Sequence, residues 1–282
     1  MSARAVPECT LTPVLEATEI SVSFGGVHAL AGLDLEIGEG QLVGLIGPNG
    51  AGKTTFIDAI TGFVRSQGMV KLDGEDLTGL PPHVRAQRGL LRTWQSIELF
   101  DDLTVRENLL VASHPPSVWR TLKQAVTAPS TSSSEIKPTI ELLGLDAIVD
   151  ELPSDLSQGE RKLVGIARAL VAKPRVVCLD EPAAGLDTRE SAELGQRLRR
   201  LVDAGQAMLL VDHDMGLVLG ICDEVVVLEF GKAIARGAAD VVRREEQVIA
   251  AYLGGAASEL TPAVLDSAAA TAHHSTGEVD RG

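Results

Sequence analysis

The stretch Gly47-Pro48-Asn49-Gly50-Ala51-Gly52-Lys53-Thr54-Thr55 constrains this chain more than any other. It fits the pattern G-x-x-x-x-G-K-[ST], and its neighbours supply the context that the pattern needs. The apolar run Leu42 to Ile46 before it reads as a buried strand, and Phe56-Ile57-Asp58-Ala59-Ile60 after it reads as a helix. Gly47, Gly50 and Gly52 let backbone N–H groups wrap closely around phosphate oxygens, and the helix start adds unpaired N–H groups and the positive end of its dipole. Lys53 offers a point charge to the outer phosphates, and the Thr54 hydroxyl can reach a magnesium ion. With Asn49 and Thr55 completing the loop, the expected site binds phosphate within an α/β fold. Taken alone, the stretch also fits a glycine-rich turn with no ligand.

At 282 residues and 45% hydrophobic content the chain can hold one large or two small domains with a real core. No apolar run approaches the length of a bilayer span, and Met1 to Glu8 lacks the basic start and apolar middle of a signal peptide, so a cytoplasmic location is expected. A net charge of -14 opposes nonspecific binding to nucleic acid or to an anionic membrane, both of which need positive potential. Membrane association is therefore expected to come through a protein partner. Cys9, Cys178 and Cys222 form no C-x-x-C pair, which indicates neither a disulfide framework nor a zinc site.

Residues 1–13 show no periodicity and read as a loose leader. Alternation from Val14 to Phe24 and at Leu30, Leu33, Leu35 and Ile37 predicts two strands, and Met69 to Leu72 predicts an edge strand of the same antiparallel sheet. Residues 91–172 read as a mainly helical insertion. In it, Thr104 and Glu107 make a capping box, residues 128–134 form a polar loop, and a helix from Lys162 to Lys173 stops at Pro174. Strands then alternate with helices: Val176 to Leu179, a helix Ser191 to Val202, Ala207 to Val211, and a hairpin of Val225–Leu228 with Ala233–Arg236 around Gly231. Such alternation predicts a mostly parallel sheet whose ligands gather at the carboxyl ends of the strands, where Asp180, Glu181 and His213 fall. From Gly254 onward the tail reads as disordered.

Five further segments stand in the order used by the ATP-binding-cassette (ABC) family, and from them the chain resembles that family over about residues 14–253. Leu156-Ser157-Gln158-Gly159-Glu160 resembles the family's LSGGQ signature, Gln95 in Thr93-Trp94-Gln95-Ser96 its Q-loop, and Val176 to Glu181 its Walker B strand. Ala184-Gly185-Leu186-Asp187 resembles the D-loop and His213 the H-loop histidine. The implied fold is a P-loop NTPase (RecA-like) core, residues 14–90 and 173–253, with an antiparallel β subdomain and an inserted helical subdomain, residues 91–172. The implied cofactors are ATP and Mg2+. Oxygen ligands suit magnesium, so Thr54 and Asp180 are candidate metal ligands, and the Gln95 amide could serve either the metal or, as a catalytic residue, the attacking water. Glu181 is suited to deprotonating or orienting an attacking water, and His213 to holding the γ-phosphate. Phe24 could stack on the adenine. Met singly, the Asp180-Glu181 pair could be an exposed strand end, His213 a helix cap and Phe24 a core residue.

In that family Ser157 and Gly159 would cover the γ-phosphate held by an opposite cassette, so the resemblance implies a dimer with itself or with a similar subunit. Gln158 and Glu160 depart from the usual signature, and Phe24 replaces the usual tyrosine. A narrower resemblance, to branched-chain amino-acid importer ATPases, rests on Phe24-Gly25-Gly26, Arg92-Thr93-Trp94-Gln95 to Phe100, Asp101 to Asn108, Asp212-His213-Asp214-Met215 and Ile249 to Leu253. It implies permease subunits in the membrane, an extracytoplasmic substrate-binding protein and a place on the cytoplasmic face. Urea and amide importers and the lipopolysaccharide export ATPase are similar alternatives. A soluble ABC ATPase acting on nucleic acid or ribosomes is less consistent with an acidic chain bearing one cassette and no long coiled coil.

Overall fold

The computed structural model describes residues 13–94, 98–113, 132–245 and 248. Expectations for the leader 1–12, for Gln95, for residues 128–131, for Ile249–Leu253 and for the tail lie outside the described residues.

A six-stranded sheet carries the molecule. Its order is β10 (Lys232–Gly237), β9 (Glu224–Glu229), β3 (Leu42–Ile46), β8 (Ala207–Val211), β7 (Val176–Asp180) and β6 (Leu90–Arg92). All pairings in it are parallel except β9 with β10, which form the hairpin expected around Gly231. Strands β3, β7 and β8 are fully buried apolar runs because both faces of the sheet are covered. Their pleat sorts side chains into two cores: Leu42, Ile46, Val177, Leu179, Met208 and Leu210 enter one, and Val43, Leu45, Val176, Cys178, Leu209 and Val211 the other.

The second core is closed by helix α1 (Lys53–Thr61) and a four-stranded antiparallel sheet. That sheet has the order β2 (Val27–Gly38), β1 (Pro13–Phe24), β4 (Gln67–Leu72) and β5 (Glu75–Asp76). β4 is therefore an inner strand, not the edge that Met69 to Leu72 suggested. The edge is the two-residue β5, whose polar Glu75-Asp76 gives no apolar alternation to read. Short helix α2 (Pro82–Gln87), equally polar in sequence, leads into β6.

The first core is closed by α3 (Val105–Ser113), α4 (Ser132–Leu143), α5 (Gln158–Leu170), α6 (Thr188–Asp203) and α7 (Met215–Ile221); a last turn of helix, α8 (Ala239–Val242), follows β10. The Thr104–Glu107 capping box that starts α3 is present. Fully buried Asn108 accepts from Phe100 N–H and donates to the carbonyls of Phe100, Leu103 and Thr104, which pins the loop ahead of α3.

Three sequence expectations shift. Leu91 and Arg92, assigned above to the helical part, pair with Val177 and Cys178 in the central sheet. Ser132 to Ser134, read as loop, open α4. Helices α5 and α6 begin at Gln158 and Thr188, ahead of Lys162 and Ser191, because polar capping boxes start them: Ser157 with Glu160, and Asp187 with Glu190. Each cap contributes about 1 kcal/mol.

Candidate functional site

The phosphate loop leaves buried β3 and enters α1 through two glycines that no other residue could replace. A Cβ at Gly47 would lie 2.2 Å from the Leu228 carbonyl oxygen, and one at Gly52, where φ is 107°, would lie 2.7 Å from that of Ala29. No side chain caps α1 at Gly52, so its first N–H groups stay available to an anion while Asn49, Gly50 and Thr54 face solvent. Lys53 is only 6% exposed and donates through Nζ to the carbonyls of Gly47 at 2.7 Å and Pro48 at 3.1 Å. Burial lowers its pKa against the opposing pull of Glu181, Asp180 and Asp212. The ammonium therefore lies within electrostatic reach of the carboxylates at the ends of the neighbouring strands.

Asp180 closes β7 and is 2% exposed. Its Oδ2 accepts from Arg92 Nη2 at 2.9 Å, whereas Oδ1 is buried without a partner among the described residues. Burial raises its pKa, Arg92 opposes that rise, and the nearby carboxylates of Glu181 and Asp58 add to it. A buried carboxylate oxygen that no described residue satisfies suits a metal ligand, and Thr54 supplies a second oxygen donor at the accessible end of α1. These residues fit magnesium.

Glu181 follows in a left-handed conformation, φ 49°, its N–H held by the Val211 carbonyl at 2.7 Å. A non-glycine residue there costs about 1–3 kcal/mol, and such strain clusters at functional sites. Fully buried Asp212 fixes the surroundings: Oδ2 accepts from Ala183 N–H at 3.0 Å, and Oδ1 from the N–H groups of His213 at 2.8 Å and Asp214 at 3.0 Å. Bonds to a charged acceptor contribute about 1.5–3 kcal/mol each. One carboxylate thus joins the chain after Glu181 to the chain around His213, whose own side chain remains 61% exposed. Asp214 then caps α7 and receives the Ser191 hydroxyl at 2.6 Å.

Phe24 ends β1 opposite Val27 and is 52% exposed, which excludes the core alternative. Ser157 caps α5, and Glu160 returns its carboxylate to the Ser157 N–H at 2.8 Å, so the departure from LSGGQ completes a cap. Gln158 lies against Gly185, where a Cβ would come within 2.6 Å of its Nε2. Leu156 packs in the helical core and Ala51 in the opposite core. The fold thus gathers Lys53, Asp180, Glu181 and Asp212, and holds Ser157 and Gly159 at the start of α5.

A cavity of about 670 Å³ opens beside these groups, lined among others by Arg92, Trp94, Lys162, Arg168, Asp180 and Glu181. Buried Lys162 reaches it from α5; burial lowers its pKa, against the pull of Asp212 and Glu181. Sequence reasoning gave no role to Arg92, Asp58, Asp212 or Lys162. Asp212 left a local signal, as a carboxylate following a buried strand directly before His213, and Arg92 stood only within the stretch that carries the narrower resemblance.

A sequence profile of the ABC transporter family matches residues 30–184. The chain belongs to the ABC transporter family. As a member of that family it is an ATP-binding, ATP-hydrolysing subunit. It is 38% identical to the high-affinity branched-chain amino acid transport ATP-binding protein BraF of Pseudomonas aeruginosa, over 86% of this chain and 99% of that one. It is 36% identical to LivG of Escherichia coli, of the same description, over 86% and 99%. The lipopolysaccharide export system ATP-binding protein LptB of Haemophilus influenzae is 36% identical, over 86% and 97%. Among solved structures, a nucleotide-free ATP-binding cassette from an ABC transporter matches with TM-score 0.74, and an ATP-binding cassette of an ABC transporter in its ADP conformation with 0.76. Each is 30% identical, over 86% of this chain and 99% of that one. These neighbours bear out the expected ABC ATPase fold. Among the described residues no helix is long and apolar enough to cross a membrane.

Proposed function

We propose that this ABC ATPase energises import of branched-chain amino acids from the cytoplasmic face of a membrane, with two cassettes docked on permease subunits and an extracytoplasmic binding protein delivering the solute. Its similarity to BraF and LivG along almost their whole length carries the reading.

In this reading the N–H groups of the loop and of α1 hold the ATP phosphates, Asn49 and Thr55 complete the cradle, and Phe24 stacks on the adenine. Lys53 exchanges its carbonyl partners for β- and γ-phosphate oxygens without further desolvation, since it is already buried. Magnesium, held by Thr54 and Asp180 with Gln95, would neutralise phosphate charge. Glu181 accepts the proton of the attacking water, and Asp212 holds the backbone on either side of the reaction so that Glu181 and His213 keep their spacing. Ser157 and Gly159 of the second cassette close over the γ-phosphate. The place of Ser157 as the cap that starts α5 supports their offering N–H groups to an anion.

Uptake of labelled leucine by cells lacking this chain is the test. Loss of high-affinity uptake, restored by the intact gene and not by Glu181→Gln, is expected. Similarity to LptB favours one other reading, lipopolysaccharide export. Normal leucine uptake with lipopolysaccharide retained at the inner membrane would select it.

A further inference from the structure

Arg92 ends β6 and lies between two carboxylates. Nη1 donates to Asp58 Oδ1 and Nη2 to Asp180 Oδ2 at 2.9 Å, with the Arg92, Asp58 and Asp180 side chains 6%, 26% and 2% exposed. The guanidinium carbon stands 4.2 Å from the Trp94 ring centroid and 5.6 Å from that of Phe63, and the two rings meet edge to face at 5.1 Å. Asp58 lies one helical turn beyond Thr54 on α1, so both carboxylates adjoin the residues that would hold magnesium. Among the described residues, Asp180 Oδ1 and Arg92 Nε are both buried without a partner.

Two carboxylates converging in so enclosed a place need a positive charge between them, and a divalent ion could supply it as well as a guanidinium. Arg92 supplies it permanently. Its planar fork reaches both carboxylates at once, and the aromatic pair fixes its plane. Among the described residues Asp180 is thereby held through Oδ2 and not through Oδ1.

We propose that Arg92 is the resident counter-ion of the metal site: a positioning residue that orients Asp180 through Oδ2 and keeps the site's own affinity for divalent cations low, so that the metal enters with the nucleotide. The proposal rests on Asp180 being a metal ligand.

The test uses the full chain without nucleotide, Mn2+ titrated and followed by electron paramagnetic resonance, and thermal unfolding in EDTA or Mg2+. Wild-type protein is expected to bind Mn2+ weakly and to unfold at the same temperature in either medium. Arg92→Gln is expected to bind Mn2+ at least about tenfold more tightly, the smallest effect expected when a unit charge leaves so enclosed a site. That gain should vanish in Arg92→Gln/Asp180→Asn. The unfolding midpoint of Arg92→Gln should fall in EDTA and recover in part with Mg2+. Arg92→Lys, which keeps the charge, should bind Mn2+ as weakly as wild type. Should Arg92→Gln not fold in EDTA, Arg92→Gln/Asp58→Asn, which removes one of the facing charges, is expected to fold there.

Equal Mn2+ affinity in wild type and Arg92→Gln, a stability loss that Mg2+ leaves unchanged, or a double variant that still fails to fold would each overturn the proposal and reduce Arg92 to a structural tie. Asp180→Asn alone separates the two readings. If it binds ATP equally well with and without Mg2+ while wild type does not, the metal-site reading holds and the Mn2+ result judges Arg92. If it keeps the wild-type response to Mg2+, the metal-site reading itself fails.

Discussion

Glu181→Gln lowers steady-state ATP hydrolysis about a hundred- to a thousandfold while leaving ATP affinity within a factor of a few, the range expected for removing a general base. The amide keeps the size and hydrogen-bonding reach of the carboxylate but cannot accept the water's proton. The backbone that presents it is held from outside the side chain, by Val211 at the Glu181 N–H and by Asp212 at Ala183, so the substitution leaves the loop in place. Bound ATP then persists, and the variant accumulates as a closed dimer with ATP between two cassettes. Single-turnover hydrolysis and mass by light scattering check both halves. Near-normal turnover would require a different base, and the candidates within electrostatic reach of Lys53 would narrow to Asp180 and Asp212.

Lys53→Ala weakens ATP binding at least about a hundredfold, since charge-assisted hydrogen bonds to phosphate contribute about 1.5–3 kcal/mol each and 1.4 kcal/mol is a factor of ten. Two losses combine. The phosphates lose a cation that is already desolvated, and the loop loses the bonds that Nζ makes to Gly47 and Pro48. The remaining carboxylates, Asp180, Glu181 and Asp212, then face the incoming polyphosphate with less positive charge to offset them. Isothermal titration with ATP measures the effect, and thermal unfolding of the free protein separates it from a general loss of structure. Unchanged affinity in a folded variant would remove the loop from the nucleotide site.

Local chemistry wrote part of this fold plainly into the sequence. The phosphate loop was legible because its glycines, lysine and threonine must be contiguous, and its strand and helix flank it directly. The Thr104–Glu107 cap and the β9–β10 hairpin were legible for the same reason, since partners lie within a few residues of one another. Helix starts were less so: Ser157 and Asp187 cap through polar residues that precede the apolar spacing. The pairing of Arg92 was not legible, because its partners Asp58 and Asp180 are 34 and 88 residues away and meet it only when β6 pairs with β7 and α1 packs on the sheet. Asp212 was half legible. Its position before His213 shows in the sequence, but its bond to Ala183, 29 residues away, belongs to the parallel pairing of β7 with β8.

The family's motifs carried the ATPase assignment because they describe contacts to a shared ligand. In the proposed function the solute is recognised by other chains, and this chain carries only its relatedness to BraF and LivG. The account of transport therefore stands or falls on what this cassette is bound to. The most direct measurement is isolation of tagged Glu181→Gln with ATP from solubilised membranes of cells that make it, followed by mass spectrometry of the complex. The account predicts a second cassette and two permease chains, whose hydrolysis with the wild-type cassette rises when a leucine-loaded binding protein is added. Recovery of ribosomes or nucleic acid, with no membrane chain, would contradict it.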